Sequence, residues 1–213
     1  MGMVRMGPPS ELVLKLKKQL AITRFIETGT LFGNTARWAA NHFQHVATIE
    51  NSPGLYQAAK EKCAPFDNIE VIYGHSKEKL GEILAVHTSP AIFWLDAHWS
   101  GGATYGERDE CPLIEEIAVI QRAGREHVIL IDDARLFVAP PPLPHNADAW
   151  PNIAEIVKAL DGVGDGRRYH VIFEDVIISV PATARNVVID YVRSVGQRDG
   201  YWGRLMRKLG LCR

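Results

Sequence analysis

The stretch 25-FIETGTLFGNTARWAA-40 reads as a buried strand, a glycine-containing turn and a helix. Gly29 and Gly33 stand where the backbone must bend tightly or approach a ligand. A strand that passes through such a turn into a helix is the opening unit of a Rossmann-like sheet, the place where nucleotide-type ligands sit. The pattern here is E-x-G-x-x-x-G, not the G-x-G-x-x-G that rests a pyrophosphate on a helix N-terminus. Glu27 takes the place of the first glycine. Its carboxylate would repel a pyrophosphate but would pair with the cationic amino group of a methionyl moiety. The spacing therefore favours S-adenosylmethionine over NAD.

Outward from this unit, short apolar segments rich in β-branched and aromatic residues recur: 24-RFIET-28, 46-VATIE-50, 69-IEVIY-73, 91-AIFWLD-96 and 127-HVILID-132. Between them, 34–43, 53–63, 76–86 and 112–124 carry helix formers with roughly 3.6-residue apolar spacing. Near-continuous apolar strands suit a parallel sheet covered on both faces. The last third changes rhythm. A proline-dense stretch, 139–151, precedes a helix near 152–160, and then 169-YHVIFEDV-176 and 177-IISVPA-182 follow each other with no room for a crossover helix. These two are expected to form an antiparallel pair at the sheet edge. The predicted fold class is α/β: a Rossmann-like, doubly wound, mostly parallel seven-stranded sheet with an antiparallel edge hairpin. The expected division is an N-terminal helical segment over 1–20, the α/β domain over 21–185 and a basic C-terminal tail over 186–213. That tail carries Arg193, Arg198, Arg204, Arg207, Lys208 and Arg213 against Asp199.

Composition excludes several classes. In 213 residues, 24 Lys+Arg oppose 25 Asp+Glu, a net charge of −1 that argues against a general nucleic-acid or anionic-membrane coat. Cys63, Cys111 and Cys212 are scattered, with no paired spacing for a disulfide framework or a structural zinc site. No apolar run reaches the roughly 18 residues of a membrane span, and the N-terminus lacks a signal-peptide core. A cytoplasmic location is expected.

Function in such sheets is built at the carboxyl ends of the strands. The second strand ends in Glu50, placed to hold a ribose diol, although alone it reads equally as a solvated strand end. The third ends in 74-GHS-76, with His75 facing either an adenine rim or solvent. The fourth and fifth end in Asp96 and in Asp132-Asp133. Three carboxylates brought together would raise one another's pKa, and a hard divalent cation such as Mg2+ is a natural neutraliser. His98 is a candidate general base or a loop residue capping a carbonyl, and Arg135 a partner for a carboxylate or a substrate. Gly101 and Gly102 open a stretch that would serve as a flap over the site or as a surface loop.

Taken together, 25-FIETGTLFGNT-35, 93-FWLDAHWSGG-102 and 131-IDDAR-135 resemble a bacterial group of class I S-adenosylmethionine-dependent methyltransferases, over about Phe25 to Pro181. The resemblance implies cofactor contacts from Glu27, Thr28, Gly29, Thr30, Gly33, Thr35, Glu50, His75, Ser76 and Asp96. It implies Asp96 and His98 as catalytic residues. A more distant likeness to metal-dependent macrocin-type sugar O-methyltransferases implies Mg2+ on Asp96, Asp132 and Asp133. The chain departs from that pattern at Ala134-Arg135, where a tyrosine is usual, and at His75, where an acidic residue is common. The expected acceptor is a hydroxyl of a small molecule or sugar, with no nucleic acid, no transmembrane segment and room for a homo-oligomer. Two other readings use the same residues: a metal-dependent hydrolase or hydroxylase, and a non-catalytic Rossmann-like binding module.

Overall fold

The computed structural model describes residues 7–99 and 110–199. The expected flap at Gly101-Gly102, Cys212 and the basic residues from Arg204 onward lie outside the described residues. The element order begins α1 (Ser10–Gln19), β1 (Arg24–Thr28), α2 (Asn34–Ala40), β2 (His45–Glu50), α3 (Pro53–Cys63), β3 (Ile69–Tyr73) and α4 (Ser76–Val86). It continues with β4 (Ile92–Leu95), α5 (Leu113–Arg122), β5 (Val128–Ile131), a short α6 (Arg135–Val138) and α7 (Ile153–Asp161). β6 (Arg168–Phe173), β7 (Val176–Pro181) and α8 (Arg185–Asp199) complete it.

Seven strands form one sheet in the order β3-β2-β1-β4-β5-β7-β6. β1 pairs in parallel with β2 and β4, β2 with β3, and β4 with β5, while β7 runs antiparallel to both β5 and β6. The fold class is the predicted one. The pairing adds that β7 is inserted between β5 and β6, so that β6, not β7, is the outer strand. The hairpin turn also lies upstream of the expected break: Glu174 and Asp175 both take left-handed backbone, φ +50 and +68, as a two-residue hairpin turn requires. β6 accordingly ends at Phe173, and every residue of β7 is buried.

Alternation along the strands divides the core into two layers. Phe25, Val46, Trp94, Leu130 and Ile178 face α1, α2 and α8, where they meet Leu12, Leu16, Ala36, Val188 and Tyr191. Ile26, Ile49, Phe93, Ile129 and Ile177 face α4, α5 and α7, against Leu80, Ile117, Ile156 and Leu160. Burying each large side chain contributes about 1.5–3 kcal/mol, so the sheet is held from both faces. Residues 186–199, expected as the start of a basic tail, form most of α8 and pack on the core. Val188, Tyr191 and Val195, spaced three and four apart, make one buried stripe.

Because β1 leads towards β2 and β3 on one side while β4 leads towards β5 on the other, the strand order reverses between β1 and β4. The crevice beyond the carboxyl ends of these two strands is where an open α/β sheet binds ligands.

Candidate functional site

The turn after β1 is shaped by two glycines. Gly29 has φ +83, and a Cβ there would lie 2.1 Å from the Asp96 carbonyl oxygen, so no other residue fits. Gly33 has φ +70, starts α2 and would press a Cβ to 2.8 Å from Cys63 Sγ. Next to Gly29 the Asp96 N–H donates to the Thr28 carbonyl at 3.1 Å, which stitches the ends of β1 and β4 together.

The turn turns its amides inward. Gly29 and Thr30 N–H donate to the Ile49 carbonyl at 3.0 and 3.3 Å, Leu31 N–H to Glu50 Oε2 at 2.9 Å, and Gly33 N–H to the Thr30 carbonyl at 2.8 Å. A pyrophosphate cradle needs such donors directed at the ligand. Four of them are committed to the protein here, in keeping with the E-x-G-x-x-x-G reading.

Glu27 is 2% exposed. Thr48, its register partner on β2, donates its hydroxyl to Glu27 Oε2 at 2.7 Å, and Thr30 Oγ1 lies 2.6 Å from Thr48 Oγ1. The Thr35 hydroxyl also reaches the carboxylate. Burial dominates nonetheless: with a lesser push from Glu50, it raises the Glu27 pKa from 4.5 to about 8. Among the described residues no cationic side chain is paired with this carboxyl. Thr48 escaped the sequence reading, although its place two residues before Glu50 puts it on the same face of β2.

Glu50 is oriented by its own loop. Its Oε1 accepts the Ser52 N–H at 2.9 Å while Oε2 accepts that of Leu31, so the carboxylate bridges the turns after β1 and β2. Beyond it, Asn51 Nδ2 lies 3.1 Å from His75 Nδ1, and Ser76 is buried as the first residue of α4. The structure thus gathers Glu27, Thr28, Gly29, Thr30, Gly33, Thr35 and Glu50 around the turn after β1, with His75 and Ser76 after the end of β3. Asn51 joins them as a residue the sequence reading passed over.

On the β4 side, Asp96 is pushed well above the ordinary carboxylate range by burial first and then by Asp132, Asp133 and Glu27. Asp132 is raised to about 6 by burial and by Asp133. Asp133 behaves differently. Burial opposes its ionisation, but the hydrogen bond and charge of His98 and the guanidinium of Arg135 outweigh it and hold the carboxyl below its usual range. His98 Nε2 lies 2.7 Å from Asp133 Oδ2 and 3.8 Å from Asp96 Oδ1, and Arg135 Nη1 donates to Asp133 Oδ1 at 2.6 Å. His98 is buried, its ring packed against Trp150 and Phe137 at centroid distances of 5.5 and 6.4 Å.

This arrangement lends no support to the expected Mg2+ site. Among the described residues no group of three or more His, Cys, Asp or Glu side chains is placed to hold a metal ion. The physical reason lies in Asp133: its left-handed backbone, φ +55, turns it to His98 and Arg135, and both carboxylate oxygens are engaged there. Asp96, Asp132 and Asp133 are neighbours, and Asp133 is engaged by His98 and Arg135. No helix among the described residues is long and apolar enough to cross a membrane.

The sequence matches no protein-family model and no curated protein. Solved structures are similar. A protein described as an O-methyltransferase from Klebsiella pneumoniae superposes with a TM-score of 0.56 at 16% identity, over 84% of this chain and 82% of that one. A protein described as a caffeoyl-CoA O-methyltransferase from Staphylococcus aureus does so with a TM-score of 0.56 at 15% identity, over 84% and 86%. The S-adenosylhomocysteine-bound methyltransferase PaMTH1 of Podospora anserina gives 0.56 at 15% identity, over 82% and 79%. At such identities the likeness is one of architecture: this chain shares the fold of these methyltransferase structures.

Proposed function

We propose that this chain is an S-adenosylmethionine-dependent methyltransferase acting on a hydroxyl of a small molecule or sugar. The observation that carries the proposal is Glu27: a buried carboxyl raised to about 8, at the reversal point of the sheet, in a turn whose amides are spent on the protein. Such a group suits a ligand that brings a fixed cation and no phosphate. In this reading Glu27 accepts the ammonium of the methionyl moiety, Glu50 accepts the ribose hydroxyls, and Asn51, His75 and Ser76 border the adenine.

The cofactor supplies an electrophilic methyl group on a sulfonium. The protein's share is to hold the acceptor oxygen in line with it and to take the acceptor's proton. Asp96 and His98 stand at the crevice to do so. A carboxyl with a raised pKa, as at Asp96, is a stronger base once ionised than an ordinary aspartate. No metal enters this scheme, because Asp133 is already committed. That solved structures of the same fold include one bound to S-adenosylhomocysteine adds support. Titration calorimetry with S-adenosylmethionine and S-adenosylhomocysteine tests the reading: saturable one-to-one binding is expected, and no heat from either at hundreds of micromolar would sink it.

A further inference from the structure

Between Val46 and Ile49, strand β2 holds one polar residue, the fully buried Thr48. Its register partners are Glu27 on β1 and Val71 on β3, so the sheet itself asks only for a β-branched shape at this position. The hydroxyl answers a different need. It donates to Glu27 Oε2 at 2.7 Å and lies 2.6 Å from the hydroxyl of Thr30, which is buried as well. Thr30 is in turn fixed by its backbone: its N–H donates to the Ile49 carbonyl at 3.3 Å, and its carbonyl accepts the Gly33 N–H at 2.8 Å. The result is a short chain of contacts, Thr30 to Thr48 to Glu27, that ties the carboxyl at the end of β1 to the middle of the glycine turn. The Thr35 hydroxyl, from α2, meets the same carboxyl from another element.

An ionised carboxylate only accepts hydrogen bonds, and a threonine hydroxyl has a single proton to give. When Glu27 stands as a carboxylate opposite a ligand cation, Thr48 therefore donates to Glu27 and accepts the proton of Thr30. The two hydroxyl dipoles then point one behind the other at the charge. Donors fixed in this way inside a dry site hold a charge more strongly than the same groups in water.

We propose that Thr48 is a positioning residue for the amino-acid end of the cofactor: with Thr30 behind it, its hydroxyl orients the Glu27 carboxylate that takes the ligand's ammonium. The proposal rests on the methyltransferase reading, with Glu27 as the group that meets the methionyl moiety. Its consequence is selective. Loss of the Thr48 hydroxyl weakens a ligand that carries the ammonium. A ligand that offers only the adenosine and thioether is unaffected, because its contacts in this reading lie with Glu50, Asn51, His75 and Ser76.

The test is titration calorimetry of the full-length protein with S-adenosylhomocysteine and with methylthioadenosine, which keeps the adenosine and the thioether but lacks the amino-acid group. Thr48→Val copies the shape of threonine without its hydroxyl. It is expected to weaken S-adenosylhomocysteine about tenfold or more, the effect of one hydrogen bond to a charged group, while methylthioadenosine binds as it does to the wild type. Thr48→Ser returns the hydroxyl without the methyl group and is expected to bring S-adenosylhomocysteine back towards its wild-type affinity. Undiminished affinity for S-adenosylhomocysteine in Thr48→Val, an equal loss for both ligands, or a Thr48→Ser variant as weak as Thr48→Val overturns the proposal. Should Thr48→Val fail to fold, Thr30→Val breaks the chain of hydroxyls one residue further out. A loss confined to S-adenosylhomocysteine then supports the proposal, and an equal loss or none overturns it. A wild-type protein that binds neither ligand removes the methyltransferase reading and the proposal with it, a result distinct from wild-type binding that Thr48→Val leaves unchanged.

Discussion

Glu27→Gln opposes stability and cofactor affinity in a way that can be worked from the structure. In the free protein the Glu27 carboxyl titrates at about 8 instead of 4.5. At pH 7 it is roughly nine-tenths protonated, and a ligand cation that needs the carboxylate must first expel that proton, at a cost of about 1.4 kcal/mol or tenfold in affinity. Affinity for S-adenosylhomocysteine should therefore rise almost tenfold per pH unit between pH 6 and 7.5 and flatten above 8. About 0.9 proton should be released on binding at pH 7, read by calorimetry in two buffers of different ionisation enthalpy. Because the folded pKa is raised, the stability Glu27 contributes is complete below about 4.5 and is lost progressively as pH climbs towards 8. At pH 7 that loss amounts to at most about 3 kcal/mol, an order-of-magnitude bound. Glu27→Gln removes the ionisation, so the variant should bind the ligand at least about tenfold more weakly with no pH slope. Its ligand-free melting temperature at pH 7 should rise by several degrees, on the order of 2–4 °C per kcal/mol for a chain of this size. Undiminished affinity in Glu27→Gln, or wild-type binding that releases no proton at pH 7, would refute the assignment of Glu27 as the cation receptor.

Three further outcomes follow from the same geometry. Gly29→Ala should destabilise the fold by at least about 3 kcal/mol in a denaturant melt, because its Cβ would collide with the Asp96 carbonyl from a left-handed backbone. Glu50→Gln keeps one acceptor for the Leu31 and Ser52 amides but loses the charge, and should weaken S-adenosylhomocysteine binding by about tenfold while circular dichroism stays unchanged. EDTA should alter neither ligand binding nor methyl transfer, since Asp133 is engaged by His98 and Arg135; a metal-restored activity would overturn that account.

Much of the candidate site is legible in the sequence because it is written in strand periodicity. Phe25, Val46, Trp94 and Leu130 share one buried layer. Glu27 and Glu50, at even spacing from these residues along β1 and β2, fall on the same face by pleat alone, as does Thr48, which the sequence reading missed. The glycine turn was equally plain, since Gly29 and Gly33 are the residues that a left-handed turn admits. The hairpin turn was harder to place. The acidic pair Glu174-Asp175 is a turn signal, but without a glycine it is a weak one, and its place shows only in the positive φ of both residues and the antiparallel register they set. In α8 the arginines mask a helical stripe, since Val188, Tyr191 and Val195 are separated by polar and charged residues.

The fate of the acidic strand ends was not local at all. The sequence by itself determined that carboxylates would gather beyond β1, β2, β4 and β5, because parallel strands of continuous apolar residues must end at one edge of the sheet. Which of them keep a proton, which are ionised and which face a ligand depended on partners distant in the chain. His98 lies 35 residues from Asp133, and Asp175 lies 40 from Arg135. Burial and such pairings change the energy of a charge by more than any neighbour along the chain can. Tertiary structure therefore raised the pKa of Glu27 and lowered that of Asp133, where the sequence showed only two carboxyls at the ends of strands.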